Sequence, residues 1–252
     1  MANNRRILIT GSRGFIGTHL TDRLGQDADW DILEFTRDNA MEELGSLVAQ
    51  ADAVCHLAGV NRSKDPTEFM RVNVGLTQNL CDAIIASGRA IPLLLASSVH
   101  AGQETDYGRS KQAAESVAAT LAESTGNPVV VFRLPGVFGR GCRPNYNSVV
   151  ATFCHHIARD WPIRMDDPDT VIRLVHIESV VSAFIQELSQ SGKDVRLVRV
   201  MPEYTVSLKT LVTHIRAFSR GQNVVPDNAE ERAWLRVLHD TYLSYQPLFK
   251  DD

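Results

Sequence analysis

Three glycines interrupt an apolar run in Ile7-Leu8-Ile9-Thr10-Gly11-Ser12-Arg13-Gly14-Phe15-Ile16-Gly17, and a helical pattern begins directly behind them. A buried strand that turns tightly into a helix leaves unpaired N–H groups and a partial positive charge at the turn, which suits a dinucleotide pyrophosphate. In the spacing Gly-x-x-Gly-x-x-Gly, Gly11 permits the sharp turn, Gly14 lets backbone approach phosphate, and Gly17 allows tight contact between helix and sheet. A strand–turn–helix uses glycine for packing in any case, so the pattern acquires meaning only from what lies downstream.

Downstream, strands and helices alternate, which points to a parallel sheet covered on both faces. Ile16, Leu20 and Leu24 form one apolar helix stripe. Trp30–Phe35 reads as a second strand, 41–50 as a short helix, and 53–57 as a buried strand ending at Ala58-Gly59. So little chain separates these two strands that the third strand of a full doubly wound half is expected to be missing or vestigial. Val72, Leu76, Leu80 and Ile84 mark another helix; a strand over 91–96 runs into Ser97-Ser98; a helix is expected over 110–124; and the strand over 129–134 stops at Pro135. Beyond residue 140 the rhythm loosens, with helices expected near 149–159, 178–189 and 207–218 and short strands near 171–175 and 195–200. The expected fold is thus α/β, a Rossmann-like doubly wound parallel sheet over 1–140, with a small, interleaved substrate-binding lobe over 141–252. A cleft at the sheet's carboxyl edge is where such sheets bind ligands.

Composition narrows the function classes. The 252 residues are 44% hydrophobic and 22% charged with net charge −4, giving no reason to expect nucleic acid or an anionic membrane as partner. Cys55, Cys81, Cys142 and Cys154 show no C-x-x-C spacing and read as reduced thiols of a cytoplasmic protein. The apolar run behind Arg5-Arg6 is too short for an export signal, and nothing reaches the length of a membrane span.

Tyr107-Gly108-Arg109-Ser110-Lys111 places a phenol and an ammonium one helical turn apart. A cation favours phenolate over phenol and is expected to lower the tyrosine into the range useful for proton transfer. Ser98, at the end of the preceding strand, is placed to hydrogen-bond the same reacting oxygen. Tyr and Lys four apart also arise on solvated helix faces; the order Gly loop, strand-end serines, Tyr-x-x-x-Lys favours catalysis.

With these motifs the chain resembles the extended short-chain dehydrogenase/reductases that modify nucleotide sugars. The resemblance extends through His56-Leu57-Ala58-Gly59, Asn73, Arg133-Leu134-Pro135-Gly136-Val137-Phe138-Gly139 and Arg173-Leu174-Val175-His176-Ile177. It implies Tyr107 as acid/base, Lys111 binding the nicotinamide ribose and tuning the tyrosine, Ser98 orienting the carbonyl, and Asn73 supporting the proton relay. It further implies Pro135 beside the nicotinamide and Leu57, Ala58 and Gly59 along the adenosine half. The chain departs from the family at Gly136, where Asn is common, and at Val99-His100-Ala101, which leaves Ser97 and Ser98 both open as the catalytic serine. Ala58-Gly59-Val60-Asn61-Arg62, Arg143-Pro144-Asn145-Tyr146-Asn147-Ser148 through Cys154, and Thr241-Tyr242-Leu243-Ser244-Tyr245 resemble more closely the reductase domain of bacterial capsular-polysaccharide enzymes. Those act on the 4-keto group of UDP-2-acetamido-2,6-dideoxyhexoses and commonly carry a C-terminal metal-binding cupin that epimerises C3. The chain ends about where that domain would begin, so it is either a stand-alone reductase or a fragment. No metal and no epimerase activity are expected, with a separate epimerase acting in the same pathway. The family also implies a homodimer paired through the helix after Asn73 and the Tyr-x-x-x-Lys helix.

NAD binders place an acidic residue at the end of the second strand. Here Thr36 takes that position, Arg37 follows, and Arg13 lies in the Gly loop, which favours the 2′-phosphate of NADP(H). Glu34 is the dissenting residue; strand alternation puts it off the cofactor side. A dehydratase needs an acid/base pair after the strand-end hydroxyl that Val99-His100 does not supply, and an epimerase retains NAD tightly. The residues fit a UDP-sugar 4-ketoreductase best, ahead of an NAD(P)-dependent 4-epimerase or a non-catalytic NADP-sensing relative. Arg173, Asn147 and Arg143 are the candidates for the substrate diphosphate. His155-His156 lacks further ligands at metal spacing, His176 reads as a core or supporting histidine, and Asp166, Asp167 and Asp169 read as a turn.

Overall fold

The computed structural model describes residues 4–190 and 195–247. Along the chain run β1 (Arg5–Thr10), α1 (Phe15–Leu24), β2 (Trp30–Phe35), α2 (Glu43–Gln50), β3 (Ala53–His56), α3 (Pro66–Phe69), a π-helical turn (Met70–Val74) and α4 (Gly75–Ser87). There follow β4 (Leu93–Ser98), α5 (Asp106–Thr125), β5 (Val129–Leu134), β6 (Gly136–Phe138), α6 (Val149–Ile157), β7 (Val171–His176), α7 (Ile177–Leu188), β8 (Val195–Val198), β9 (Glu203–Ser207), α8 (Leu208–Ser219) and α9 (Ala229–Leu243). Two compact units result: one takes in the chain through Leu134 and then Val180–Val200, the other Pro135–Ser179 and the chain from Met201.

The first unit is a parallel sheet in the order β2-β1-β3-β4-β5-β8. β2 lies at the edge and the next strand, β3, pairs on the far side of β1, so the third strand is missing, as the short connection requires. Every residue of β3 and β4 is buried, which only a sheet covered on both faces permits. Leu8, Val54, Leu93 and Leu95 pack with Val48, Leu80, Ile84 and Leu121 from α2, α4 and α5. Elsewhere in the unit the ring of Phe184 in α7 stacks on Phe132 of β5 at 4.0 Å.

Local chemistry moves several boundaries. α5 begins four residues before the sequence pattern suggests, because the Thr105 hydroxyl caps it by accepting from the Gly108 N–H at 3.0 Å. Tyr107 therefore sits inside the first turn. β4 extends through Ser97 and Ser98, so both serines are strand residues. The expected stripe of α4 is rotated: Val72 and Leu76 are only half-buried, while Asn73 and Thr77 are buried beside Leu80 and Ile84.

In the second unit β7 pairs parallel with β6 and antiparallel with β9. Phe138, Leu174, Tyr204, Leu211, Trp234, Leu238 and Tyr242 share its core with α6, α8 and α9. β9 and α9 have no counterpart in the sequence reading. The 166–170 aspartates form the expected turn, with Asp167 accepting from the Asp169 N–H and the Thr170 hydroxyl. Among the described residues no helix is long and apolar enough to cross a membrane.

Candidate active site

The loop from β1 to α1 turns tightly and lies close against the exit of β3. Gly11 takes a left-handed φ of 72°, and a Cβ there would stand 2.7 Å from the Ala58 backbone nitrogen. A Cβ on Gly17 would come within 2.2 Å of the Gly11 carbonyl, so its close contact is with the loop itself rather than with the sheet as expected. Gly14 occupies the N-cap of α1 and supplies no capping side chain. The amides of that first turn, through Phe15 and Ile16, therefore lack a side-chain acceptor, which fits a dinucleotide diphosphate.

Tyr107, Ser98 and Lys111 come together at the carboxyl end of β4. The Tyr107 and Ser98 side chains are hydrogen-bonded, and the phenol ring lies edge-on to Phe69, centroids 5.9 Å apart. The expected lowering of the tyrosine by its lysine is not what this state shows. Burial pushes the phenol up and the Ser98 bond pulls it partly back, while the Lys111 ammonium donates to the Ala96 carbonyl at 2.9 Å. Burial brings Lys111 down to about 8, with Glu115 opposing. The two serines differ in employment: Ser97 donates to Glu115, leaving Ser98 for the tyrosine.

Asn73 is committed to the backbone. Its Oδ1 accepts from the Val60 N–H at 2.7 Å, and its Nδ2 donates to the Val60 carbonyl (3.0 Å) and the Ser110 hydroxyl (2.9 Å). It thereby ties the Leu57–Val60 exit of β3 to α5 below Lys111. Gly59 permits this, since a Cβ there would stand 2.9 Å from Asn73 Oδ1.

Beneath lies a buried chain that sequence reasoning missed. The Ala58 N–H donates to Thr10 Oγ1 (3.3 Å), Thr10 Oγ1 pairs with His56 Nδ1 (2.6 Å), and His56 Nε2 with Thr77 Oγ1 (2.9 Å). Thr77 spends its hydrogen on the Asn73 carbonyl at 2.7 Å. Thr77 therefore accepts from Nε2–H, and Nδ1 accepts from Thr10, which defines a neutral imidazole. Burial, aided by the Lys111 charge, lowers His56 to about 3. The unfolded chain binds this proton below about pH 6.5 and the folded one does not. Stability is therefore expected to fall by about 1.4 kcal/mol per pH unit from this group between about pH 6 and 4. Urea titrations across that range measure it, and His56→Gln is expected to flatten the slope.

At the end of β2 the register sets Glu34 beside Ile9. Its carboxylate accepts from Ser12 Oγ at 2.5 Å. Glu34 thus faces the glycine loop, contrary to the alternation expectation, because the side chain reaches back along the strand end to the loop hydroxyl. Thr36 is bound to Asn39 through both its N–H and its hydroxyl. Arg13 forms an ion pair with Asp38, and Arg37 is exposed.

Pro135, Arg143, Asn147 and Arg173 belong to the second unit. Arg173 pairs with the buried carboxylate of Glu203, and the Arg143 guanidinium lies 5.4 Å over the Tyr146 ring. Asn147 is exposed. The Tyr245 hydroxyl donates to the Cys142 carbonyl and braces the loop carrying Arg143 and Asn147. His156 directs its ring nitrogens at Asn145 Oδ1 (2.8 Å) and the Pro162 carbonyl (3.1 Å). Among the described residues no three His, Cys, Asp or Glu side chains are grouped to hold a metal ion.

The sequence profile of the NAD dependent epimerase/dehydratase family matches residues 7–198. The UDP-2-acetamido-2,6-beta-L-arabino-hexul-4-ose reductase of Pseudomonas aeruginosa is 40% identical over 242 residues, 96% of this chain and 65% of that protein. The crystal structure of the capsular polysaccharide assembling protein CapF from Staphylococcus aureus superposes with a TM-score of 0.81 at 30% identity, over 96% of this chain and 65% of that one. The chain thus spans just under two thirds of the length of both. A UDP-glucose 4-epimerase from Thermotoga maritima, solved with UDP-glucose, shares the fold with a TM-score of 0.81 at 17% identity, covering 95% of this chain and 98% of that one.

Proposed function

Because the chain belongs to the NAD dependent epimerase/dehydratase family, we propose that it reduces the 4-keto group of a UDP-linked 2-acetamido-2,6-dideoxyhexose with NADPH, as a cytoplasmic enzyme of surface-polysaccharide precursor synthesis. The observation that carries this reading is the Tyr107–Ser98 hydrogen bond one helical turn from a half-buried Lys111 whose ammonium is held by the Ala96 carbonyl. A proton donor, a second hydroxyl and a fixed cation converge there with no acid after the serine to drive elimination.

A bound nicotinamide would supply the hydride. Tyr107 gives its phenolic proton to the carbonyl oxygen as that oxygen gains charge, and Ser98 donates to the same oxygen and fixes its direction. Lys111 stabilises the phenolate left behind. The uncapped first turn of α1 with Gly11, Ser12 and Gly14 would hold the diphosphate, and Arg13 and Arg37 the 2′-phosphate. Asn73 keeps Leu57–Gly59 in line for the adenosine half. Arg173, with Asn147 and Arg143, would neutralise the diphosphate of the sugar nucleotide. The same reading has the protein act as a homodimer through α4 and α5, with C3 epimerisation supplied by a separate protein.

The test is incubation with a panel of 4-keto UDP-, GDP- and dTDP-sugars, following NADPH absorbance and product NMR. Oxidation of NADPH is expected only with 4-keto UDP-2-acetamido-2,6-dideoxy sugars. An isomerised sugar without net NADPH consumption would point to an epimerase, and tight NADPH binding with no turnover to a sensor.

A further inference from the structure

We propose that Glu115 is a positioning residue for Lys111: its carboxylate, clamped by Arg133 and Ser97 one helical turn from the lysine, supplies the counter-charge for the ammonium on which Tyr107 relies when it delivers its proton. The inference rests on the catalytic reading of Lys111.

Three elements build the clamp. Ser97 of β4 and Arg133 of β5 are register partners in the sheet, and both reach Glu115 on α5. Arg133 grips the carboxylate in a fork, Nε to Oε1 at 3.0 Å and the terminal nitrogen to Oε2 at 2.7 Å, while Ser97 donates to Oε1. Glu115 follows Lys111 by four residues, so the two share a helix face. The lysine is anchored from the strand side by the carbonyl of Ala96, next to Ser97.

The charges facing Lys111 are few. β3 offers the neutral imidazole of His56, the exit loop Gly59 with Asn73 behind it, β4 a carbonyl, and α5 the carboxylate of Glu115. Among the described residues Glu115 is the anion whose charge acts on the lysine. Desolvation alone drives an ammonium toward its neutral form, and a single nearby carboxylate opposes that by about one to three pH units. Arg133 competes for the same carboxylate. The two substitutions therefore carry opposite signs: Glu115→Gln removes the anion that acts on both cations, while Arg133→Gln leaves it to Lys111.

The chain has five lysines, so 13C labelling of the lysine ε-carbons gives a spectrum in which Lys111 is assigned by substitution, with no need of substrate. Lys111 is expected to titrate near pH 8 in the parent, at least about one unit lower in Glu115→Gln and higher in Arg133→Gln. The alkaline limb of kcat/KM is expected to move with it, leaving Glu115→Gln at least about fivefold slower at pH 8. Glu115→Asp, which keeps the charge, is expected to restore the limb. Unmoved titration of Lys111 in both Gln variants, or a lower kcat with an unmoved limb, overturns the proposal. If Glu115→Gln does not fold, the upward shift of Arg133→Gln still decides. If no sugar is turned over, the catalytic reading fails by itself and the NMR titration still reads the clamp.

Discussion

Tyr107→Phe is expected to lower kcat by about 10²–10⁴-fold, the usual worth of a positioned general acid, while the NADPH dissociation constant stays within about threefold. The ring is held by its edge contact with Phe69 and by its place in the first turn of α5, whose cap is Thr105 and not the phenol. Loss of one oxygen therefore leaves the helix, the Lys111–Ala96 bond and the glycine loop intact. What goes is the one O–H that the strand-end serine orients. Stopped-flow NADPH oxidation for turnover, with NADPH fluorescence for binding, separates the two effects. A kcat within tenfold of the parent would remove Tyr107 from the chemistry, and a parallel loss of binding would make its role structural.

Combined Arg13→Ala and Arg37→Ala is expected to weaken NADPH binding by about 2–4 kcal/mol, roughly 30- to 1000-fold, with little change for NADH. Arg13 is engaged with Asp38, yet the two side chains are 70% and 74% exposed. An ion pair in that setting is worth about 0–1 kcal/mol, so the guanidinium is released to a phosphate at small cost. Arg37 needs no such release. Glu34 faces the loop, and one of its carboxylate oxygens accepts from Ser12. Titration of both cofactors by calorimetry reads the outcome; equal loss for NADH and NADPH would refute the assignment.

What was legible in the chain depended on how local its cause was. The β1–Gly loop–α1 unit, the bounds of β2 and β5, and the missing third strand follow from apolar runs, glycine spacing and connection length, all of which act between near neighbours. Tyr107 and Lys111 are likewise one helical turn apart. The Thr10–His56–Thr77 chain was not legible, because its members come from three separate elements and satisfy one another only once the sheet has formed. The same holds for Glu115, Ser97 and Arg133, and for Asp38 opposite Arg13. α9 is a different kind of miss. Asn228 accepts from the Glu231 N–H at 2.9 Å and Glu231 accepts from the Asp227 N–H at 2.7 Å, so an Asn-x-x-Glu start signal stood in the sequence. It precedes a helix whose low mean hydropathy hides the stripe of Trp234, Leu238 and Tyr242.

The chain crosses between its two units at Leu134–Pro135, Ser179–Val180 and Val200–Met201. A gene fragment stopped after the fifth strand would encode the glycine loop, Ser98, Tyr107 and Lys111, yet it would lack Phe184, the stacking partner of Phe132, and the closing strand β8 beside β5. The Leu188 carbonyl that receives the Arg5 guanidinium would be absent as well. Swapping the second unit between relatives by a single splice would thus leave an open apolar flank, and a chimera that keeps the first unit whole requires three junctions.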